Sequence, residues 1–279
     1  MKNLIVVRGG GDLATGTIYK LYQCGFKVLI LEVGAPSAIR RNVAFSEAVY
    51  QGSQKVEDVT CYLAKNEEDA ISFLNEGRLT MLVDSEGSCI ERFAPFAVVD
   101  AILAKKNLGT KKEMAQITIA LGPGFVAGEG ASCDVDAVIE TKRGHQLGRV
   151  IYDGMAIPNT GVPGIIGGYG KERVIHSPCE GILRTIRKIT DVVKKDDIIA
   201  VVEQGNLKVP VKATMDGLLR GLIRDGYPVT KGFKIADIDP RESEYENCFT
   251  ISDKARCIAG GVVEAILHLK ERNERNDRN

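Results

Sequence analysis

The segment from Leu4 to Gly16 constrains the fold of this chain more than any other part of its sequence. It reads Leu-Ile-Val-Val-Arg-Gly-Gly-Gly-Asp-Leu-Ala-Thr-Gly, which predicts an apolar strand, a glycine loop and a helix start in direct succession. Gly9, Gly11 and Ala14 fit the pattern G-x-G-x-x-[GA]. In this pattern the first glycine allows a tight turn, and the second allows the backbone to approach a bound anion closely. The small residue at the third position lets the helix pack closely on the strand. The bound group is expected at the amino end of the helix, where unpaired N–H groups favour negative charge.

A second predicted strand follows the helix and ends at an acid. Lys27 to Leu31 reads Lys-Val-Leu-Ile-Leu, and Glu32 comes next. Dinucleotide-binding domains place an acid at this position against ribose hydroxyls. We therefore predict a Rossmann-like domain with a nucleotide at the loop. The alternative is a glycine turn that only packs the first helix on the sheet. The residues expected to bind the cofactor here are Arg8, Gly9, Gly10, Gly11, Asp12, Leu13, Ala14 and Glu32.

Two further segments are candidates for the same site. Arg40 and Arg41 lie in a proline-containing loop beyond Glu32. Arginines there can hold an adenylate phosphate or a 2′-phosphate, or simply form a solvated surface. Gly122 and Gly124 follow a strand-like run over 116–121. Ligands of parallel sheets bind at the carboxyl ends of the strands, so both glycine loops are expected at that edge.

The composition limits the classes of binding partner and the cellular compartment that we expect for this chain. Lys and Arg total 37, and so do Asp and Glu, so no overall field draws nucleic acid or an anionic membrane to this chain. The sequence shows no signal peptide and no apolar run of membrane-spanning length, which predicts a cytoplasmic protein. None of the seven cysteines is spaced C-x-x-C, which disfavours a disulfide framework and a standard zinc site.

The chain is long enough for an α/β core and a second small domain. Apolar strand-like runs alternate with helical segments through residues 1–150 and predict a parallel sheet covered on both faces. An internal repeat with an offset of 36 residues, as between Gly181 and Gly217, predicts a biotinyl- or lipoyl-like β barrel-sandwich over 171–240. The connection between the two halves lacks a carrier-lysine motif, so Lys208 is expected to be an ordinary exposed lysine.

A helix is predicted over 250–270, packed on the first domain, because its apolar residues recur at helical spacing. The charged segment from Glu271 to Asn279 is expected to be a disordered tail. A third glycine loop, over 158–170, is expected to form turns or to wrap around a ligand.

Residue types that carry chemistry are sparse. His145, in a glycine-bearing turn, is the candidate for a catalytic acid or base, and a surface or structural role is the alternative. The sequence leaves open whether any reaction is catalysed. It also leaves open whether sulfur or selenium is carried by any of four cysteines, namely Cys133, Cys179, Cys248 and Cys257.

Several strings together resemble a known family. They include Arg-Gly-Gly-Gly-Asp-Leu-Ala-Thr-Gly, Gly-Pro-Gly-Phe-Val-Ala-Gly, Glu-Thr-Lys-Arg-Gly-His-Gln-Leu-Gly-Arg-Val, Pro-Asn-Thr-Gly-Val-Pro-Gly and Ile-Ser-Asp-Lys-Ala-Arg. With them the chain resembles the YqeB family, accessory proteins of selenium-dependent molybdenum hydroxylases. Its N-terminal half is also similar to the nucleotide-binding half of XdhC-type molybdenum cofactor chaperones.

The resemblance implies a maturation factor that binds a nucleotide of the NAD(P) type, or a nucleotide-bearing molybdopterin cofactor, for cofactor or selenium insertion. Its implied partner is a molybdenum hydroxylase apoprotein, and a homodimer is compatible with it. Two other functions stay open at this point. One is an NAD(P)-dependent oxidoreductase with His145 as proton donor, and the other is a non-catalytic interaction module.

Overall fold

The chain divides into two compact units in a computed structural model that describes residues 3–159, 161, 164–165 and 167–276. The first unit comprises Met1–Pro36, Ala44–Thr160 and Ile251–Asn279. The second comprises Ser37–Val43 and Gly161–Thr250. The chain therefore leaves the first unit twice and returns to it for its last helix.

The first unit contains every α-helix of the described chain. They are α1 (Asp12–Gln23), α2 (Ala48–Gln51), α3 (Glu67–Asn75), α4 (Ile90–Phe93) and α5 (Asp253–Asn276). Its strands are β1 (Leu4–Arg8), β2 (Lys27–Glu32), β3 (Ser53–Val56), β4 (Val59–Leu63), β5 (Leu79–Val83), β6 (Ala97–Asp100), β7 (Ile117–Leu121), β8 (Val126–Ala127), β9 (Ala137–Ile139), β10 (Val150–Ile151) and β11 (Gly154–Met155).

Nine of these strands form one mixed sheet in the order β10-β9-β7-β6-β1-β2-β5-β4-β3. The seven inner strands are parallel to their neighbours, whereas β3 pairs antiparallel with β4 and β10 pairs antiparallel with β9. The central strands β1 and β7 are buried along their whole length, as continuous apolar runs require. A separate two-stranded sheet joins β8 and β11.

The predicted fold class, a Rossmann-like parallel sheet followed by a small barrel-sandwich and a C-terminal helix, is wrong. The large sheet is mixed, and antiparallel sheets account for the remaining strands of the described chain. The physical reason lies at the two edges of the large sheet. There β3 turns directly into β4, and β9 is joined to β10 by the loop 140–149, so neither edge has the helical crossover that parallel strands require. Short edge strands lack the continuous apolar runs on which the prediction rested.

Helix α5 packs against α1 and against the strands β7, β9 and β10. The helices α1 and α5 meet at Gly16, where an added Cβ would lie 2.7 Å from the Cβ of Ala255. The charged segment that was expected to be disordered from Glu271 is helical through Asn276, which corrects that prediction. One contact that holds it is the ion pair of Arg275 with Glu271, one helical turn away. Residues 277–279 lie outside the described part.

The second unit is built from two four-stranded antiparallel sheets, ordered β12-β19-β17-β14 and β16-β15-β13-β18. Its strands are β12 (Val174–His176), β13 (Gly181–Thr185), β14 (Val192–Val193), β15 (Ile198–Gln204), β16 (Leu207–Lys212), β17 (Gly217–Leu222), β18 (Pro228–Val229) and β19 (Lys234–Asp239).

The 36-residue repeat is visible in these strands. The first strand of each half begins at an equivalent glycine, Gly181 or Gly217, with φ of +147° or +149°. A Cβ at either glycine would collide with the carbonyl oxygen of Glu203 or Asp239, which are themselves repeat equivalents. The short strand of each half pairs with a strand of the other half: β14 pairs with β17, and β18 pairs with β13. The two halves therefore share one apolar core.

One charged pair has different surroundings in the two halves. Arg220 and Asp239 are buried or nearly so, and Arg220 Nη1 lies 3.4 Å from Asp239 Oδ2. Their repeat equivalents, Arg184 and Glu203, form a pair on the surface, with 3.0 Å between Nε and Oε2. Asp239 also accepts hydrogen bonds from the backbone N–H and the guanidinium of Arg241. The second unit thus has the same arginine–carboxylate pair once in its interior and once on its surface.

Candidate functional site

The candidate site lies at the carboxyl edge of the large sheet, where the strand order changes direction. From β1 the chain proceeds through α1 to β2 on one side, while β6 occupies the other side of β1. In open α/β sheets this arrangement leaves a crevice outside the carboxyl ends of the two central strands. The glycine loop leaves β1 at this edge, and Asp100 ends β6 beside it.

The three glycines of the loop have different structural requirements. Gly9 has φ of +93°, and a Cβ there would lie 3.0 Å from backbone atoms of Ala101 and Ile102. A Cβ at Gly10 would lie 2.9 Å from the side chain of Met81. Gly11, by contrast, has φ of −64°, and a Cβ there would meet no atom within 4 Å. The fold therefore requires glycine at Gly9, where φ is positive and backbone atoms are close. A side chain at Gly10 would have to displace the end of the Met81 side chain, and open space remains at Gly11.

The amino end of α1 is open at the same place. Gly11 is the N-cap residue, and no side chain caps the helix there. Helix termini present backbone N–H groups without an intrahelical acceptor, and the aligned peptide dipoles favour negative charge beside them. Ala14, one turn later, is fully buried, so α1 lies close against its surroundings. The loop thus offers backbone N–H donors to an anion.

Glu32 braces the glycine loop from the end of β2. Its Oε2 accepts a hydrogen bond of 2.7 Å from the N–H of Gly10, and its Oε1 accepts one of 2.8 Å from Val33. Burial raises the pKa of Glu32, although the hydrogen bonds from Val33 and Gly10 act in the opposite direction. The expected role of Glu32 against ribose hydroxyls stays a prediction, and its contact with the loop is a structural role that it has without any ligand.

Arg8 is held inside the protein. Its side chain is 2% exposed, and its Nη1 donates a hydrogen bond of 2.6 Å to the hydroxyl of Thr110. The same Nη1 lies 3.9 Å from Asp100 Oδ2, and Nη2 donates to the carbonyl of Ser85. Arg8 therefore ties together the loops that follow β5 and β6. Its guanidinium is used for positioning these loops.

The acids that follow the parallel strands have the same kind of role. Asp84, after β5, accepts hydrogen bonds from the backbone N–H groups of Gly87 and Cys89. Glu140, after β9, accepts hydrogen bonds of 2.7 and 2.8 Å from the N–H groups of Lys142 and Ile157. These carboxylates satisfy backbone donors that would otherwise be left unpaired in the loops. They brace the edge of the sheet.

A charged cluster that sequence reasoning missed lies at the start of α5. Arg143 forms a two-point contact with Asp253, with distances of 3.0 and 3.2 Å. Lys254 follows, and its pKa is lowered by burial and by the charge of Arg143, while Asp12, Glu140 and Asp253 act in the opposite direction. The contact of the next residue, Ala255, with Gly16 places the start of α5 beside the first turns of α1. The only sequence signal is the Ile-Ser-Asp-Lys-Ala-Arg string, which predicts a helix start.

The second glycine loop, after β7, is packed against the protein. A Cβ at Gly122 would collide with the side chain of Ala156, and Gly124 has φ of +107° with Lys105 backbone atoms close by. The carbonyl of Gly122 accepts a hydrogen bond of 2.6 Å from the Thr141 hydroxyl. These contacts account for the two glycines within the fold. A ligand contact at Gly122 or Gly124 stays a prediction.

The other predicted residues belong to other segments of the chain. Arg40 and Arg41 belong to the second unit, where they donate hydrogen bonds to the carbonyls of Asn247 and Leu222. His145 is exposed in the turn before Gly148, and within the described residues its side chain has no hydrogen bond or ion pair. The third glycine loop lies partly outside the described residues, at positions 160, 162, 163 and 166.

The four cysteines named as candidates differ in burial. Cys248 is buried in the core of the second unit, and Cys133 and Cys179 are half-buried. Cys257 is exposed, and its thiol donates a hydrogen bond of 3.2 Å to the carbonyl of Leu147. In the described ranges, no three His, Cys, Asp or Glu residues are grouped so that they could hold a metal ion. None of the described helices has the length and apolarity that a membrane crossing demands.

A separate recess of about 330 Å³ lies beyond the ends of β4 and β5. It is lined in part by Arg92, Glu67 and Glu68. These charges neutralise one another, because Arg92 lies 2.9 Å from the carboxylate of Glu67 and 3.3 Å from that of Glu68. The charged side chains of this recess are therefore paired with one another, whereas the amino end of α1 has no side-chain cap.

Comparison with known proteins gives a close relative in sequence. No protein-family model matches the chain. The chain is 49% identical over 266 residues to YqeB of Escherichia coli strain K12, a protein described as uncharacterized. The match covers 95% of this chain and 48% of YqeB, so the chain spans about half the length of that relative. The similarity supports the resemblance to the YqeB family.

Solved structures are matched only at low overall similarity. The product-bound ectoine utilization protein EutE (DoeB) of Ruegeria pomeroyi is 10% identical, with 84% of this chain and 56% of that chain covered and a TM-score of 0.24. An aspartoacylase family protein of Mesorhizobium loti is 10% identical, with 85% and 84% covered and a TM-score of 0.26. At these TM-scores we transfer neither fold nor activity to this chain.

The comparisons correct the association with molybdenum hydroxylases and selenium. The curated relative is described as uncharacterized, so the sequence similarity supports no role in hydroxylase maturation, with selenium or with the molybdenum cofactor. The predicted association of this chain with these functions is therefore corrected. The mixed sheet corrects the predicted Rossmann-like NAD(P)-binding fold.

Proposed function

We propose that the first unit binds a nucleotide or another phosphate ester, with the phosphate at the open amino end of α1. The observation that carries this proposal is the free space at Gly11. Because Gly11 has an ordinary negative φ and an added Cβ would meet no atom within 4 Å, neither the backbone nor packing requires glycine there. A glycine that the fold does not need, at the amino end of a helix, is typical of a close approach by a ligand.

The position of the loop supports the same function. It lies between the carboxyl ends of β1 and β6, where open α/β sheets bind ligands. Glu32 fixes Gly10, and Gly9 packs against the loop after β6, so two of the three glycines are held rigidly. A preorganised loop of this kind binds an anion without first losing conformational entropy of its own.

The geometry favours binding over catalysis. The parallel-strand acids Glu32, Asp84 and Glu140 each accept hydrogen bonds from backbone N–H groups, and His145 lies exposed on a turn. General acid–base catalysis needs a titratable group within hydrogen-bond reach of the reacting atom. We therefore propose that this unit binds a nucleotide rather than converting it.

Calorimetric titration of the full chain tests the proposal. The ligands are ADP, NADH and adenosine, and the variants are Gly11→Leu and Gly260→Ala. Gly11→Leu fills the free space without straining the backbone, and Gly260 lies on α5 with nothing within 4 Å of its Cβ. We expect ADP to bind the natural chain and the Gly260→Ala variant, with adenosine much weaker, and Gly11→Leu to remove binding while the melting temperature stays unchanged.

Other outcomes would overturn the proposal. Equal ADP affinity of the natural chain and the Gly11→Leu variant would mean that the glycine loop is not the site. No binding of ADP or NADH at millimolar concentration would favour an interaction module. Tight NADH binding together with turnover of a carbonyl substrate would instead indicate an oxidoreductase.

A further inference from the structure

Lys254 stands out among the charged residues near the carboxyl edge of the sheet. It is half-buried on the first turn of α5. The residue after it, Ala255, packs against Gly16 of α1. The residue before it, Asp253, is held by Arg143. The residues on both sides of Lys254 are therefore held, one by a helix–helix contact and the other by an ion pair. These contacts restrict the movement of the Lys254 backbone.

The direction of α5 brings Lys254 to the same edge as the glycine loop. At its far end, Asn273 donates a hydrogen bond of 3.4 Å to the carbonyl of Gln116, which directly precedes β7. At its near end, Asp253 contacts Arg143, four residues beyond the last residue of β9. Because β7 and β9 are parallel, α5 runs antiparallel to them. Both α1 and α5 thus begin at the carboxyl edge of the sheet.

The acids around Lys254 are engaged by other groups. Both oxygens of Glu140 accept backbone hydrogen bonds, and both oxygens of Asp253 accept from Arg143. Asp12 also has an interaction of its own. Within the residues that the structure describes, the side chain of Lys254 makes no hydrogen bond and no ion pair within 4 Å. A half-buried ammonium without a bonded counter-charge loses hydration that a bound anion would replace.

We propose that Lys254 binds the phosphate group of the ligand at the amino end of α1, as the cationic partner of the backbone N–H groups of the glycine loop. This proposal rests on the proposed function of the first unit. It names the ligand chemistry as a phosphate or diphosphate, because an ammonium and a helix terminus together suit a compact, multiply charged oxyanion. Arg143 is occupied by Asp253 and serves to position the start of α5.

The test measures binding of inorganic pyrophosphate and of ADP to the full chain by calorimetry. The variants are Lys254→Met, which removes the charge at similar length, Lys254→Arg, which keeps it, and Lys270→Met as the matched control. Lys270 lies on the same helix at the opposite end, 4.0 Å from Glu274. We expect Lys254→Met to weaken both ligands about 10- to 100-fold, as loss of a charged hydrogen bond does. Lys270→Met should leave both affinities unchanged, and Lys254→Arg should recover most of the affinity.

Amine acetylation of the natural chain, followed by mass spectrometry, gives a second readout that needs no variant. Pyrophosphate should slow acetylation of Lys254 and leave that of Lys270 unchanged. This readout decides the matter if Lys254→Met does not fold. Adenosine serves as the ligand without phosphate, and it should protect neither lysine.

The outcomes separate the two proposals. If Lys254→Met binds pyrophosphate as well as Lys270→Met does, while Gly11→Leu abolishes binding, the role of Lys254 is wrong and the proposed site stands. If pyrophosphate binds but leaves acetylation of Lys254 unchanged, the role of Lys254 is again wrong. If the natural chain binds neither ADP nor pyrophosphate, both proposals fail together.

Discussion

Replacing Asp239 by asparagine should destabilise the second unit strongly, because it removes the charge of a buried carboxylate and leaves its arginines in place. The side chain of Asp239 is 1% exposed and accepts hydrogen bonds from Arg220 and Arg241. Removing one partner of a buried ion pair costs about 3–5 kcal/mol. The side chains of Arg220 and Arg241 are 17% and 45% exposed, so water replaces part of the lost interaction, and Arg220 keeps its shorter contact with Asp237. We expect a loss of about 2–3 kcal/mol in the free energy of unfolding.

The internal repeat supplies the matched control. Glu203 and Arg184 are the repeat equivalents of Asp239 and Arg220, and their ion pair is at the surface. Glu203→Gln should therefore change stability much less than Asp239→Asn, because water solvates the freed Arg184. The assay is urea unfolding followed by circular dichroism, since the chain has no Trp. Hydrogen exchange of peptides from β17 and β19 locates the effect in the second unit.

The same pair makes a pH prediction. Burial opposes the ionised form of Asp239, but the hydrogen bonds from Arg241 and the charges of Arg220 and Arg241 outweigh it and lower its pKa. A carboxyl with a lowered folded pKa contributes stability that is complete above its unfolded pKa of about 3.9. That contribution is lost as the pH falls through the folded value. Asp239→Asn should lack this part of the acid destabilisation. Equal effects of Asp239→Asn and Glu203→Gln at neutral pH would refute the reasoning.

Three further predictions follow from packing and burial. Gly16→Val should destabilise the contact of α1 with Ala255 by about 1–3 kcal/mol, whereas Gly260→Ala should be neutral or stabilising by up to about 1 kcal/mol; thermal unfolding of the two variants compares them, and equal melting temperatures would contradict the close approach. Gly181→Ala and Gly217→Ala should each lower the unfolding midpoint by similar amounts, because the two glycines have equivalent conformations; a tolerated substitution at either position would be inconsistent with that geometry. A thiol reagent should label Cys24 and Cys257 in the native chain before Cys61 and Cys89, because burial raises the pKa of Cys61 and raises that of Cys89 to about 12; early labelling of Cys61, seen by mass spectrometry, would contradict its burial.

The sequence predicts the parts of the fold that local patterns determine. The strand, the glycine loop and the helix expected from Leu4 to Gly16 coincide with β1 and α1. The 36-residue offset identifies equivalent strands because glycine at 181 and 217 is required by positive φ and by contact with a carbonyl. Both signals depend on residues close in sequence or on exact repetition.

The edge strands of the large sheet could not be predicted from such local patterns. The strand β3 reads Ser-Gln-Lys-Val, with a single buried residue at its end, and β10 has two half-buried residues. Such strands are fixed by pairing with a neighbour and carry little pattern of their own. For the same reason the sequence predicted a parallel sheet where the structure has a mixed one.

The candidate site was predicted in part for similar reasons. The space at Gly11 follows from a local pattern, but the internal use of Arg8 depends on Thr110 and Asp100, more than 90 residues away in the chain. The position of Lys254 depends on the packing of the last helix against α1. Contacts between such distant segments leave no periodic signal in one sequence. The strand-end acids, which can be mistaken for catalytic residues, bind backbone N–H groups for reasons that only the loop geometry reveals.

The location of the phosphate is the central claim, and amide chemical shifts measured during titration with ADP test it most directly. In the ¹⁵N-labelled full chain, the backbone N–H signals of Gly11, Asp12 and Leu13 should move together and saturate at the calorimetric dissociation constant. The amide of Gly260 should not move. ADP binding without any change at these three residues, or with changes centred on another part of the chain, would contradict the account.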